Sequence, residues 1–352
     1  MKKTVFLLFL LLPFCYLLAQ PPVPNAVKPT PFTAIAQPTD GHNVIDDNDY
    51  GDQNVKNLKQ FGNDNYIWVD ITGDKNGFSH TSKSLQEGNR NYADVNQSGD
   101  RNRFDITQSN KTPTYTSDRN KTLIDQSGDR NEAIVNQKIK DFGTVEGKLV
   151  AKSYQSGDGN LSRQEQLGKK NRELVIQKGD NGVAKQWQGQ IGTGSTKSYY
   201  NSAVILQRQK SNMSRAYQYQ EGYNNDALII QKSDRSVAKQ VQLDNSTVAG
   251  PPWNENIARI TQRGDDNDKN NKAYQFQYYD AVPGYTVGNY AWIDQKGSNN
   301  VAWQVQLGGQ NINNIDQMGD GNVTKSLQVQ GTTAMPAFST PFNFNIPASI
   351  TP

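Results

Sequence analysis

Few residues in this chain are of a type and spacing that could do chemistry. It holds two histidines, His42 and His80, and one cysteine, Cys15. Neither a Ser-His-Asp set, a His-based metal site nor a thiolate cluster can be assembled from so little. The acidic run Asp46-Asp47-Asn48-Asp49-Tyr50-Gly51-Asp52 looks superficially like a Ca²⁺ loop, but it lacks the Glu that closes such a loop and reads as a solvated acidic linker. Asp94, Asp125 and Asp294 recur as single acids, with no second carboxylate specified for acid–base work. The expectation is therefore no catalytic residue, no cofactor and no metal: not an enzyme.

One set of charged and aromatic residues does have a pattern. Lys83, Lys152, Arg163, Lys185, Arg215, Lys239 and Lys325 recur in one phase, with Leu85, Tyr154, Trp187, Tyr217, Val241, Phe276, Val305 and Leu327 recurring beside them. Stacked, they would make a basic stripe next to an apolar one. Lys185, Trp187, Arg215, Tyr217, Lys239 and Lys325 are the candidate docking residues, suited to an anionic polysaccharide or a second filament. The same lysines read equally as gatekeepers that keep a flat sheet from sticking to others.

The elements that would position these residues are written in the repeats. The string Gln-x-Gly-x-x-Asn recurs along the middle of the chain, as at Gln86/Gly88/Asn91, Gln126/Gly128/Asn131, Gln220/Gly222/Asn225 and Gln295/Gly297/Asn300. In unbroken stretches Gln follows Gln at a spacing of eleven: Gln155, Gln166, Gln177, Gln188, and again Gln295, Gln306, Gln317, Gln328. Gly beside Asp or Asn is turn chemistry, because these residues tolerate positive φ. The seven residues from Asn to Gln alternate in character, which is strand periodicity and not helix periodicity. Asn289, Ala291, Ile293 and Gln295 then share one face.

Two kinds of copy alternate. The first carries Ile or Val at its fifth position, as in Asn91/Ala93/Val95/Gln97, Asn131/Ala133/Val135/Gln137 and Asn225/Ala227/Ile229/Gln231. The second carries Ala, Ser or Gln there, as in Asn160/Ser162/Gln164/Gln166, Asn212/Ser214/Ala216/Gln218 and Asn300/Ala302/Gln304/Gln306. The full period is about twenty-two residues, strand-turn-strand-turn. A strand pair cannot bury its face alone, so copies must stack. The predicted fold is an all-β repeat solenoid of two facing parallel sheets. Ile205, Ile229, Ile260, Ile293 and Ile315 form one inward column, and Asn/Gln ladders run along the stack. The ladder residues are Gln86, Asn91, Gln97, Gln126, Asn131, Gln137, Gln220, Asn225, Gln231, Gln295, Asn300, Gln306, Asn311, Gln317, Asn322 and Gln328. Glu173 breaks the inward pattern and predicts a local shift or outward twist.

Composition agrees. Hydrophobic residues make up 34%, too few for one large aliphatic core, while a net charge of +3 is too small for disorder by self-repulsion or for nucleic-acid binding. Residues 1–20 read as an export signal: Lys2 and Lys3, an apolar run from Val5 to Leu18, then Ala19-Gln20. Residues 21–58 read as a Pro-rich, acidic flexible leader, 59–331 as the repeat solenoid and 332–352 as a Pro-rich tail. The breaks Thr112–Asp118, Lys138–Gly147, Gly189–Tyr200, Asn245–Asn254 and Asp280–Gly288 read as bulges from the turns.

QEGNRNYADVNQ (Gln86–Gln97), QSGDRNEAIVNQ (Gln126–Gln137), QEGYNNDALIIQ (Gln220–Gln231) and QKGSNNVAWQVQ (Gln295–Gln306) resemble the curlin repeat, the unit of the functional amyloid curli. The resemblance covers roughly Gln60 to Gln330. It implies a secreted fibre subunit at the cell surface, acting in adhesion and biofilm matrix. Its partners would be further copies of itself and outer-membrane secretion and nucleation proteins. This chain departs from the usual subunit in carrying about ten two-strand rungs, where about five are usual, and in its insertions. Alternatives are a monomeric β-solenoid surface adhesin and, from another class, a carbohydrate-active β-helix enzyme.

Overall fold

The protein is described by a computed structural model over residues 43–77, 81–109, 119–139, 147–189, 198–208, 211–244, 256–264, 270–279 and 288–330. The expected export signal, the tail 332–352, His80 and most of the five insertions lie outside the described residues.

Among the described residues, twenty-two strands run from β1 (Val44–Tyr50) to β22 (Val323–Gln330). Odd-numbered strands form one eleven-stranded sheet and even-numbered strands a second, each in sequence order, so the chain winds through eleven two-strand rungs. All pairings are parallel, as between Asp226–Lys232 and Ile257–Arg263 in the first sheet, or Lys272–Tyr279 and Val301–Gly308 in the second. This is the predicted two-sheet solenoid. Parallel stacking follows from the repeat itself, because an identical strand one period on can only meet its predecessor in the same direction. The turns are tight: Gly99 takes φ 99°, as its string anticipates, but the second left-handed position falls on Arg101 (φ 60°) and not on Asp100 beside the glycine.

The core lies between the sheets. Val175, Ile205, Ile229, Ile260, Ile293 and Ile315 form one inward column of the first sheet, packed against Ala184, Ala216, Ala238, Ala273 and Ala302 of the second. A large residue on one side meets a small one on the other, which fills the narrow space between sheets without voids. An N-terminal cluster holds Ile67, Val69, Ile71, Val95, Phe104, Ile106, Ile124 and Val135.

Three expectations need correction. The array begins at Val44, not at residue 59, since β1 and β2 (Lys56–Phe61) both pair in register with the following rung. The acidic run Asp46–Asp49 is thus strand, not linker. Asp47 and Asp49 align with inward Val69 and Ile71, and Lys56 bonds both at 2.5 and 2.9 Å. Secondly, Asn131/Ala133/Val135/Gln137 reads as the Ile/Val kind, yet its strand β8 (Glu132–Lys138) lies in the second sheet. Strand β9 (Lys148–Ser156) in the first sheet carries Ser153 where its neighbours carry Ile124 and Val175. The large residue has changed sides, so fifth-position size does not by itself assign the sheet. Thirdly, Glu173 causes no shift. Strand β11 (Arg172–Gln177) keeps register on both sides, with Glu173 fully buried between Ala151 and Ala203.

Candidate functional site: amide ladders and outer faces

The longest continuous feature is a ladder of glutamines at the end of each second-sheet strand. Gln60, Gln86, Gln108, Gln137, Gln166, Gln188, Gln220, Gln242, Gln277 and Gln306 each donate Nε2–H to Oε1 of the next, at 2.8–3.1 Å, and Gln328 closes the series as an acceptor. Their second Nε2–H is also used: Gln188 donates to Arg172 O and Gln220 to Ser202 O, across to the first sheet. Each amide therefore ties its own sheet along the stack and the two sheets to each other. A matching ladder runs down the first sheet from Gln97 through Gln126, Gln155, Gln177, Gln207, Gln231, Gln262 and Gln295 to Gln317.

The predicted asparagines also stack, in a different way. Asn131 N–H donates to Asn102 Oδ1, and Asn131 Nδ2 donates to Gly157 O in the next turn. Asn225, Asn300, Asn311 and Asn322 do the same with Asn201, Asn271, Asn289 and Asn300. The Asn side chain thus satisfies backbone at the strand entrance, where the chain leaves the turn and ladder bonds begin.

Two further ladders were not anticipated. Gln164, Gln186, Gln218, Gln240, Gln275 and Gln304 bond end to end in the middle of the core. Their signal was the Gln-x-Gln ending of the second kind of strand. In the turns, Asp100 N–H donates to Asp129 Oδ1, Asp129 to Asp158 and Asp158 to Asp180, each at 2.8–2.9 Å. The signal there was the recurrent Gly-Asp pair, whose Asp serves as acceptor as well as turn former.

On the outer face of the second sheet, the candidate docking residues do not all align as expected. Lys152 and Tyr154 lie on β9, in the first sheet. In β14 (Arg215–Glu221) the closing glutamine is Gln220, not Gln218, which moves every assignment in that strand by two. Arg215 therefore aligns with Val183 and Val237, outside the basic column, while Tyr217 aligns with Lys185 and Lys239. The observed column reads Lys83, Asp105, Ile134, Arg163, Lys185, Tyr217, Lys239, Tyr274, Trp303, Lys325. In its second half rings stand between the cations. Lys239 Nζ lies 5.8 Å from the ring centroids of both Tyr217 and Tyr274, and Tyr274 stacks on Trp303 at 4.0 Å. Burial pushes the Lys239 ammonium down and the Tyr217 and Tyr274 phenols up. In the adjacent column Trp187, Tyr219, Val241, Phe276 and Val305 are buried in a second apolar cluster, although they point away from the core between the sheets.

Asp94, Asp125 and Asp294 point outward, each held above its ordinary range first by burial. Asp294 pairs with Arg263, and beside it Arg259 lies 4.8 Å over the Trp292 ring. Glu173 is the exception inside the core: burial, then the charge of Glu165, raises it well above the usual carboxylate range.

Parallel strands, facing sheets and continuous amide ladders define a β-solenoid repeat protein. Residues 85–109, which run from Leu85 through Tyr92–Ser98 to Ser109, match the family model of the curlin associated repeat. The resemblance read from Gln86–Gln97 is thus shown within that segment. No curated protein matches the chain.

Proposed function

We propose that this chain is a secreted structural subunit of a curli-like extracellular fibre, without enzymatic activity, serving adhesion and biofilm matrix. One observation carries the reading. Among the described residues both sheets end in unpaired strands, β1 and β2 at one end and β21 (Ile312–Met318) and β22 at the other, and the second-sheet glutamine ladder runs to both ends. An unpaired parallel edge with an open ladder is a template for another identical rung. The curlin associated repeat at residues 85–109 supports the same reading. Its partners would be further copies of the chain together with outer-membrane secretion and nucleation proteins. An anionic polysaccharide would meet the column of Lys185, Lys239 and Lys325.

Incubation of purified protein with Thioflavin T, followed by electron microscopy and fibre diffraction, tests this. Seedable fibres with reflections near 4.7 and 10 Å are expected. Protein that stays monomeric for days at high concentration would leave the surface-adhesin reading instead. That second reading draws on the Asp47–Lys56–Asp49 group, which places charge where the later rungs carry uncharged side chains.

A further inference from the structure

On the outer face of the second sheet, direction and burial disagree. Side chains that alternate with the inward Ala and Gln residues point away from the other sheet, and among the described residues no strand lies outside them. One outward column nevertheless changes character along the stack. In the earlier rungs it reads Leu85, Thr107, Asn136 and Glu165, all at least partly exposed. It then reads Trp187, Tyr219, Val241, Phe276 and Val305, of which none is more than 5% exposed.

Stacking within the column does not account for this. Neighbours one rung away cover the flanks of a ring and leave its outer edge in water. Tyr274 and Trp303, on the same strands as Phe276 and Val305, stack at 4.0 Å and are still only partly buried. Phe276 stands between Val241 and Val305, both smaller than itself, and is fully buried. The burial is present in a single chain, so the cover belongs to this chain and not to a second copy.

Residues 331–352 have the length, the starting point and the pattern to supply that cover. The last strand, β22, belongs to this sheet, and its Leu327 follows Val305 in the column. A segment leaving Gln330 therefore starts beside the strip. Its 22 residues include no Asp, Glu, Lys, Arg or His, and Pro336, Pro341 and Pro347 disfavour a helix. As an extended chain the stretch alternates: Phe338, Phe342, Phe344 and Ile346 fall on one side, Ser339, Asn343 and Asn345 on the other. From Phe338 to Ile346 such a chain spans about 26 Å, and from Val305 to Trp187 the four rung steps span about 19 Å. An apolar edge of that length, laid along the stack and across the strands, covers the strip from end to end.

We infer that residues 331–352 fold back over the outer face of the second sheet. Phe338, Phe342, Phe344 and Ile346 sit on the column from Val305 to Trp187, and Asn343 and Asn345 turn to water. Uncovered, the strip would be a continuous apolar band open to sideways contact between arrays. The seated segment withdraws that band and leaves Lys185, Lys239 and Lys325 along its margin. This holds whether the array polymerises or stays single.

The test replaces Phe342 with the photoreactive p-benzoylphenylalanine in the full chain. Isotope-labelled and unlabelled protein are mixed in equal amounts and irradiated, and the cross-links are mapped by peptide mass spectrometry. Links within one chain, from position 342 to peptides carrying Tyr219, Val241, Phe276 or Val305, are expected in monomer and fibre alike. Links to any other surface, links between labelled and unlabelled chains, or no links overturn the docking. None of these outcomes bears on the fibre reading, which seeded growth tests separately. A second measurement tests the face. Phe338→Ser, Phe342→Ser and Phe344→Ser combined should raise binding of the dye anilinonaphthalene sulfonate several-fold, with the strand signal in circular dichroism unchanged. Asn343→Ser with Asn345→Ser, on the opposite side of the same segment, should leave dye binding at the parent's level. Equal dye binding by all of these proteins, or a rise with the asparagine pair as large as with the phenylalanines, overturns the seating.

Discussion

Glu173 stands in the same inward column as Ala203, in unbroken register and fully buried, and neither of its carboxylate oxygens has a hydrogen-bond partner. The remaining column members include Ala93, Ala151, Ala227, Ala258 and Ala291, so this rung alone places an ionisable group among methyl groups. Charge in such a place is expelled by taking up a proton, which is why its acidity is depressed.

That position predicts a pH dependence with a definite sign. The unfolded carboxyl titrates near an ordinary ~4.3, and the folded one well above it. Stability from the neutral side chain is then complete below the unfolded value and is lost as pH rises through the folded value. Glu173→Gln removes the charge and keeps the shape. It should raise unfolding stability at pH 7 by roughly 1–3 kcal/mol, the scale of an unsatisfied buried polar group. The advantage should vanish toward pH 4. Denaturant midpoints of both proteins across that range decide it; a gain independent of pH would mean Glu173 is not the group responsible.

The amide ladders predict a steep contrast between a buried interior amide and one on an end rung. Gln218 accepts from Gln186, donates to Gln240 and also donates to Val204 O across the core. Gln218→Leu strands a donor above, an acceptor below and a carbonyl opposite, all buried, and should cost about 2–4 kcal/mol. Gln60→Leu sits on the end rung, where water can reach, and should cost under about 1 kcal/mol. Equal losses in urea melts of the two variants would show that a ladder amide contributes no more inside the stack than at its rim.

How far the sequence carried the structure depends on which physical feature did the specifying. Ile205, Ile229 and Ile260 were legible because a strand buried on one side repeats its large residue every period. The Gln ladders were legible because a buried amide must find another amide, and only identical spacing provides one. Val135 misled because size at one position is a local feature, while the sheet is set by counting strands, and Ser153 compensates from the other side. Arg215 and Tyr217 misled because Gln218 and Gln220 are two candidate closing residues two apart, and alternation cannot choose between them. Asp47 and Asp49 misled because acidity argued for solvent, whereas Lys56 stands opposite to pair with both.

The turns carry their own prediction. Gly128 has φ 94°, and a Cβ there would lie 2.5 Å from Gly157 O in the next rung. Gly128→Ala therefore meets both a strained backbone and a collision with main chain that cannot move aside, and should destabilise by roughly 1–3 kcal/mol. Asp129→Asn should be nearly silent, since Asn212 already serves as the acceptor for Asp180 N–H at 2.9 Å. Asp129→Ala should cost about 0.5–1.5 kcal/mol by stranding Asp100 N–H. Thermal melts that rank Asn and Ala alike at position 129 would remove the turn ladder as a source of stability.

Lys239 gives the last prediction, because its register reverses what a simple basic stripe implies. Cations stacked at rung spacing, well inside the ~8 Å screening length of physiological salt, would repel, so deleting one would stabilise the protein at low salt. Here Lys239 lies between the rings of Tyr217 and Tyr274, at 5.8 Å from each, and the next cations, Lys185 and Lys325, stand two and three rungs away. Each half-buried cation–ring contact contributes about 0.5–2 kcal/mol. Lys239→Met keeps the apolar stem and removes only the charge, so it should lower stability by roughly 1–3 kcal/mol, with the loss almost unchanged between low and high salt. Removing the rings instead, with Tyr217→Ala and Tyr274→Ala, should make a subsequent Lys239→Met far less costly. A Lys239→Met variant that melts higher than the parent at low salt, with the gain erased by added salt, would restore the repelling stripe and refute the interleaved column.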